Sequence, residues 1–425
     1  MIARSAVTAL LRRMDGGRLE IVDESDGGRR YGFGPERAPL QATIVAHDAS
    51  FWRGFARGSL GLAETYADGV WDCEDLVTLV RIGAREMPRI DRLRAPFAPL
   101  AALLSRVPRN TRSAARRHIS AHYDLGNDMF ELFLDPTMTY SCAYWDEGAS
   151  TLEEAQLQKL DRICRKLELS PGDHLLEVGT GWGALALHAA GEYGCRVTTT
   201  TISAEQRAVA VARARAAGLA DRVEVLECDY RDLRGRYDKL VSVEMIEAVG
   251  WQYFETFFRR CCELLQPDGL MLMQAITVDD RAYEVEKASR SFIRELIFPS
   301  GCLPSLEVIS RCTARSTDMR MVDLEDITAS YPPTLARWRE NFVRAADRAE
   351  KLGYDRRFRR LWELYLSYSE GGFRERRIGD VQLLLAKPAY RGSRLNIRSE
   401  MASTSTAGPR EANLASASLP PGPST

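Results

Sequence analysis

The nine residues Leu175 to Gly183, LLEVGTGWG, constrain this chain more than any other stretch. Leu175, Leu176 and Val178 form an apolar run that carries an acid at Glu177 and then drops into Gly179, Gly181 and Gly183. A helical pattern, Ala184 to Tyr193, follows. An apolar run that ends in glycines and passes into a 3.6-residue period reads as a buried strand, a tight turn and a helix. The first amides of that helix face the turn. This is the first half of a nucleotide-binding βαβ unit. A dinucleotide site would place an acid about 20 residues further on, against the ribose. Here the second strand, Cys195 to Thr201, ends in threonines, and the acid lies inside the turn motif at Glu177.

Strand and helix patterns alternate over 174–179, 183–193, 195–201, 204–217, 222–227, 238–243, 251–265 and 269–275. That order predicts an α/β, doubly wound, Rossmann-like domain, placed at 111–392. Ser203 and Gln206 read as a capping box at the start of the helix from 204. Residues 1–110 read as a small α+β unit. An amphipathic first helix leads to a hairpin over Gly17 to Phe33 about Gly27–Gly28, then a strand at Ala42 to His47. A helix near Phe51 to Arg57 and a glycine-punctuated element from Ser59 to Asp72 complete it. It holds no catalytic constellation, which leaves packing or lipid handling. From 393 to 425 serine, alanine, proline and glycine dominate, as in a disordered tail.

Composition narrows the function classes. A net charge of −1 speaks against a general nucleic-acid binder. No run is long enough to span a membrane, and the first residues are too charged for a secretory signal. Nine scattered cysteines without a Cys-x-x-Cys pair, and five histidines without ligand spacing, argue against a disulfide framework and a metal site, and fit a reduced cytoplasm. Residues 81–118 hold ten arginines against Glu86 and Asp91, with Phe97, Leu100, Leu103, Leu104 and Val107 interleaved. This is either a solvated linker helix or a basic amphipathic surface for anionic headgroups.

The Glu-x-Gly-x-Gly-x-Gly turn resembles motif I of the S-adenosylmethionine (SAM) methyltransferases. With HYDLGNDMFELFLDPTMTYSCAYW (122–145), VSVEMIEAVG (241–250), FPSGCLPS (298–305) and YPPTLARWRENF (331–342), the chain resembles the cyclopropane-fatty-acyl-phospholipid synthases and the mycolic-acid methyltransferases. Its N-terminal unit is similar to the accessory domain of bacterial members acting on phospholipids. The resemblance implies that a cis double bond in a phospholipid acyl chain attacks the SAM methyl. A base, a bicarbonate ion in this family, then removes a proton and the ring closes. It places Cys142, Glu247 and Tyr331 around that ion, with the backbone amide of Ile276. Gln274 stands where many relatives have histidine; it donates hydrogen bonds but cannot titrate. Ser330 likewise replaces the histidine that usually precedes the tyrosine. Glu244, three residues before Glu247, is left to the cofactor side or to solvent.

For SAM, the resemblance implies Tyr140 and Ser141, the turn residues Glu177, Gly179, Gly181 and Gly183, then Thr201, Ile202 and Gln206, with Asp229 and Tyr230 at the adenine. The stripe Phe292, Ile293, Leu296, Ile297 and Phe298 reads equally as core or as acyl-channel wall. The implied partners are unsaturated phospholipid at the cytoplasmic membrane surface, where the protein would sit peripherally, and a second copy in a homodimer; nucleic acid is not among them. One alternative product is a methylene-branched chain, formed by a hydride shift and passed to a partner reductase. A rival from another class is a non-catalytic lipid carrier on a degenerate fold.

Overall fold

The computed structural model describes residues 2–94, 96, 126–145, 148–299 and 301–392. The expectations that fall on 97–118, on His122 to Leu125 and on the tail from 393 lie outside these residues.

The chain opens with helix α1 (Ile2–Leu11), whose Val7 and Leu11 are buried. Strands β1 (Arg18–Asp23) and β2 (Arg29–Phe33) pair antiparallel, as the hairpin pattern predicts. Gly27 and Gly28 turn it with φ of 67° and 78°, a backbone region that favours glycine. Strand β3 (Gln41–Ala46) lies parallel to β1, with helices α2 (Ser50–Ala56) and α3 (Gly58–Ala67) after it. The glycine-punctuated stretch is thus largely helical. A Cβ on Gly61 would stand 2.3 Å from the Gly54 carbonyl, so the two helices touch only because glycines face each other. Strand β4 (Trp71–Cys73) closes a sheet of order β2-β1-β3-β4.

Helix α4 (Leu76–Arg94) holds the described part of the arginine-rich stretch. Arg81 and Arg85 each donate to Glu375 at 2.7 Å, and Arg89 donates to the Arg13 carbonyl. Arg81, Arg85 and Arg89 thus serve the protein's own packing, while Arg92 and Arg94 at the end of the helix are exposed.

A short helix α5 (Asn127–Phe130) and helix α6 (Leu152–Lys166) precede the second sheet. The sheet is built by β5 (His174–Val178), α7 (Ala184–Glu192), β6 (Arg196–Thr201), α8 (Ala204–Ala216), β7 (Val223–Glu227), β8 (Tyr237–Val243), α9 (Phe254–Leu264) and β9 (Leu265–Val278). Helices α10 (Tyr283–Ala288) and α11 (Leu306–Ser316), strand β10 (Arg320–Asp326), helices α12 (Tyr331–Arg344), α13 (Ala346–Lys351) and α14 (Arg356–Arg374), and strand β11 (Ile378–Ala386) follow. The strand order is β10-β11-β9-β8-β5-β6-β7, with β11 antiparallel to both neighbours and β9 through β7 parallel. The order reverses between β5 and β8, and in such sheets the crevice at the strands' carboxyl ends takes the ligand.

Two local expectations change. Ser203 accepts from the Gln206 amide at 3.2 Å, but the Gln206 side chain turns to Thr201, so the capping box is half formed. The full box lies on α6, between Thr151 and Glu154. The stripe at 292–298 forms a π turn over Ile293–Ile297 in place of a regular helix. Phe292 and Ile297 are buried while Leu296 faces out. Seven of the nine cysteines are buried, and none of the nine forms a disulfide. Among the described residues no helix is long and apolar enough to cross a membrane.

Candidate active site

A cavity of about 1120 Å³ starts at the glycine turn after β5 and passes Glu244, Glu247, Ile276 and Tyr331. It continues between Phe292, Phe298 and Tyr368 to the apolar side chains Leu11, Leu62 and Ile82 of the N-terminal unit.

At its polar end, Gly179, Gly181 and Gly183 all take left-handed backbone, with φ of 108°, 51° and 89°. A Cβ on Gly181 would meet nothing within 4 Å, whereas one on Gly183 would lie 3.2 Å from Ala210. Gly179 and Gly181 line the cavity; Gly183 instead serves the packing of α7 on α8. Glu177 is 4% exposed and accepts from the Thr199 hydroxyl at 2.6 Å. Burial pushes its carboxyl up to about 8, against the opposing effects of that bond and of the Lys159 charge. The Thr201 hydroxyl donates to Gln206 Oε1 at 2.8 Å, which orients the amide, and Ile202 lines the wall beside it. Asp229 and Tyr230 also line the cavity. Arg231 holds the Asp229 carboxylate in a fork at 2.7 and 2.6 Å, so the expected open adenine acceptor is already engaged. Tyr230 packs edge-on against Phe257. From the 122–145 motif, Asn127 accepts the Trp182 indole N–H at 2.8 Å, tying that motif to the turn.

Deeper in the cavity lies a nest of acids. Glu244 follows β8 with φ of 47°, unusual for a residue with a side chain. Its Oε1 accepts from the Cys142 amide and from Gln274 Nε2, both at 2.8 Å, and its Oε2 from the Tyr331 hydroxyl at 2.6 Å. Gln274 gives a second bond to Asp380 at 3.1 Å, while its Oε1 accepts from Gln382 at 3.1 Å. The amide is thus saturated, is fully buried and does not line the cavity. That corrects the expectation that it faces a bound ion. Cys142 also stands behind the wall, with its thiol turned to the Ala143 carbonyl at 3.2 Å. Burial, then the charges of Asp380 and Glu244, push that thiol far up, so it is neutral; what it offers the site is its backbone N–H. Glu247 Oε1 accepts from the Ile276 amide at 2.6 Å, and its enclosed Oε2 has no hydrogen-bond partner. Burial, then the Glu244 charge, raise this carboxyl to about 8. Tyr331 stacks on Phe373 at 4.1 Å, and burial and Glu244 keep its hydroxyl protonated.

Sequence reasoning missed four residues here. Glu244 is the hub of the nest, where the resemblance left it to the cofactor side or to solvent. Asp380, fully buried, is held well above the usual carboxylate range by burial and by Glu244 and Glu247. Lys159 donates to Ser141 Oγ at 2.7 Å, and Gln156 donates to the carbonyls of Thr139 and Ser141. Together these two fix Tyr140 and Ser141, which line the cavity; the Tyr140 hydroxyl also bonds that of Tyr365 at 2.8 Å. The signal was present: Gln156 and Lys159 interrupt the buried stripe Leu152, Ala155, Leu160 and Ile163 of α6.

The donors and shape at the polar end fit SAM. Left-handed glycines bare the backbone, Gly181 leaves open space, and an oriented amide follows β6. With the reversed parallel sheet, these features define a SAM-dependent methyltransferase. The chain belongs to the mycolic acid cyclopropane synthetase family, whose sequence model matches residues 110–383. It is 38% identical to tuberculostearic acid methyltransferase UfaA1 of Mycobacterium tuberculosis, over 88% of this chain and 89% of that one. It is also 38% identical to the cyclopropane-fatty-acyl-phospholipid synthase of Escherichia coli, over 81% and 87%. The solved cyclopropane synthase MmaA2 of Mycobacterium tuberculosis superposes with a TM-score of 0.60 at 31% identity, covering 64% of this chain and 98% of its own.

Proposed function

We propose that the protein uses SAM to deliver a one-carbon group to the cis double bond of an unsaturated phospholipid acyl chain, closing a cyclopropane ring. The observation that carries this reading is the continuity of the cavity, from the glycine turn, past the acid nest, to apolar side chains of the N-terminal unit. A neutral alkene is a weak nucleophile, so the chain's work is to position it and exclude water. When bound, SAM supplies the electrophilic methyl. Gly179, Gly181, Gln206 and Tyr230 would hold it, with Tyr140 and Ser141 closing the site. Phe298 and Tyr365, paired at 5.7 Å, and Phe292 and Tyr368, paired at 4.9 Å, would line the path of the acyl chain. Residues 1–110 are then a lipid-associated accessory domain, 111–392 the catalytic domain, and the protein works peripherally at a membrane surface.

A second reading, a methylene-branched product, is favoured by the likeness to tuberculostearic acid methyltransferase. That likeness spans 88% of this chain, against 81% for the cyclopropane synthase at equal identity. One experiment separates the two: incubate the purified chain with SAM carrying a deuterated methyl and with oleoyl phospholipid vesicles, then read the fatty acid by NMR. A high-field ring methylene with two deuteriums retained supports the cyclopropane. Vinylic methylene signals select the branched chain, and unlabelled lipid overturns both.

A further inference from the structure

Both products require a proton to leave the delivered carbon, so the identity of the base rests on the proposed function without depending on which product forms. The resemblance supplies a bicarbonate ion, which needs hydrogen-bond donors, and here those donors are taken by the chain's own carboxylates. Gln274 gives its two amide hydrogens to Glu244 and Asp380. The Ile276 amide goes to Glu247, and the Tyr331 hydroxyl and Cys142 amide go to Glu244. An added anion would also sit against the Glu244 carboxylate, and like charges at short range repel. The residues present do not fit the ion.

They leave a different acceptor. Glu247 lines the cavity, and its Oε2 is enclosed without a hydrogen-bond partner. Glu244 uses both oxygens as acceptors, and Asp380 does not line the cavity. We infer that Glu247 Oε2 is itself the base, and that the Glu244 carboxylate occupies the ground an ion would hold. In the step, a C–H bond of the delivered methyl breaks. Its electron pair becomes the closing C–C bond of the ring, or the carbon–carbon double bond of the branched product. The proton passes to Oε2, cancelling one positive charge on the acyl chain and one negative charge on the carboxylate, and is lost to water as product leaves. Burial also makes this carboxylate a stronger base than one free in water.

The test uses the full chain with methyl-labelled SAM and oleoyl phospholipid vesicles, in buffer stripped of carbon dioxide and in the same buffer with bicarbonate added. Rates equal within about twofold support the inference, as does a loss of at least ~100-fold in kcat for Glu247→Gln with SAM affinity kept and no rescue by bicarbonate. A rate that collapses on stripping and returns with bicarbonate overturns it, as does a Glu247→Gln enzyme that keeps more than about a tenth of its activity. If Glu247→Gln does not fold, the buffer comparison decides alone. A wild-type chain that labels no lipid in either buffer overturns the proposed function, and this inference with it.

Discussion

Glu244 holds a left-handed backbone that costs a residue with a Cβ on the order of 1 kcal/mol. Three donors on its carboxylate keep it there. Its negative charge also raises the Glu247 carboxyl, second only to burial. Glu244→Gln removes that charge, so the Glu247 pKa must fall. The low-pH limb of the rate profile should therefore move to lower pH, with kcat reduced at least ~10-fold because an amide cannot accept all three bonds. An unmoved limb would show that the two acids are not coupled. At this scale the motif VSVEMIEAVG placed both glutamates at the strand end, but not their roles. Those depend on partners from β9, α12 and β11, which no local spacing reveals. Gln156 and Lys159 are legible as polar side chains within an apolar helical stripe.

The turn between β5 and α7 separates ligand binding from folding. Gly181 faces open space, so Gly181→Ala should cost about 1 kcal/mol of stability for its left-handed backbone, while crowding the cradle and weakening SAM binding at least ~10-fold. Gly183→Ala meets Ala210 at 3.2 Å and should cost roughly 1–3 kcal/mol, with SAM affinity within a few fold. Calorimetry and thermal melts on the two variants check the split; equal effects on binding would contradict it. The parallel strands and their helices were readable because buried runs and helical periods alternate cleanly. The π turn at 293–297 was not, because the apolar residues of that stripe serve core, cavity and surface at once, and no single period describes them.

The N-terminal unit and the larger sheet are held together through α14. Its Arg360 donates to the carbonyls of Tyr66 and Trp71 at 2.6 and 2.9 Å and lies 3.9 Å over the Tyr66 ring. Arg360→Met keeps the apolar stem and removes both carbonyl bonds and the ion pair to Asp72 at 2.7 Å, so it should lower stability by about 2–4 kcal/mol and expose the N-terminal unit to protease first. Stability should also depend on pH through Glu177. In the folded chain it holds its proton to about 8, against an ordinary value of 4.5 once unfolded. Between these values the folded state binds more protons, so stability falls as pH rises from about 4.5 to 8. Glu177→Gln should remove that part of the slope, so its melting temperature gains on the wild type as pH rises; parallel curves would argue against a buried, protonated Glu177. The parallel pairing of β1 with β3 passes over β2, and the docking of α4 on α14 joins segments far apart in the chain, so neither was readable from local pattern. The cysteines make the molecule its own probe. Six thiols are shut in the core, Cys73 and the cavity-lining Cys302 are each held up at about 11 by burial, and Cys228 stands on the cavity wall beside Asp229. A mild alkylating reagent that enters the cavity meets Cys228 at its polar end, and the speed of that modification becomes a clock for how often that end is vacant.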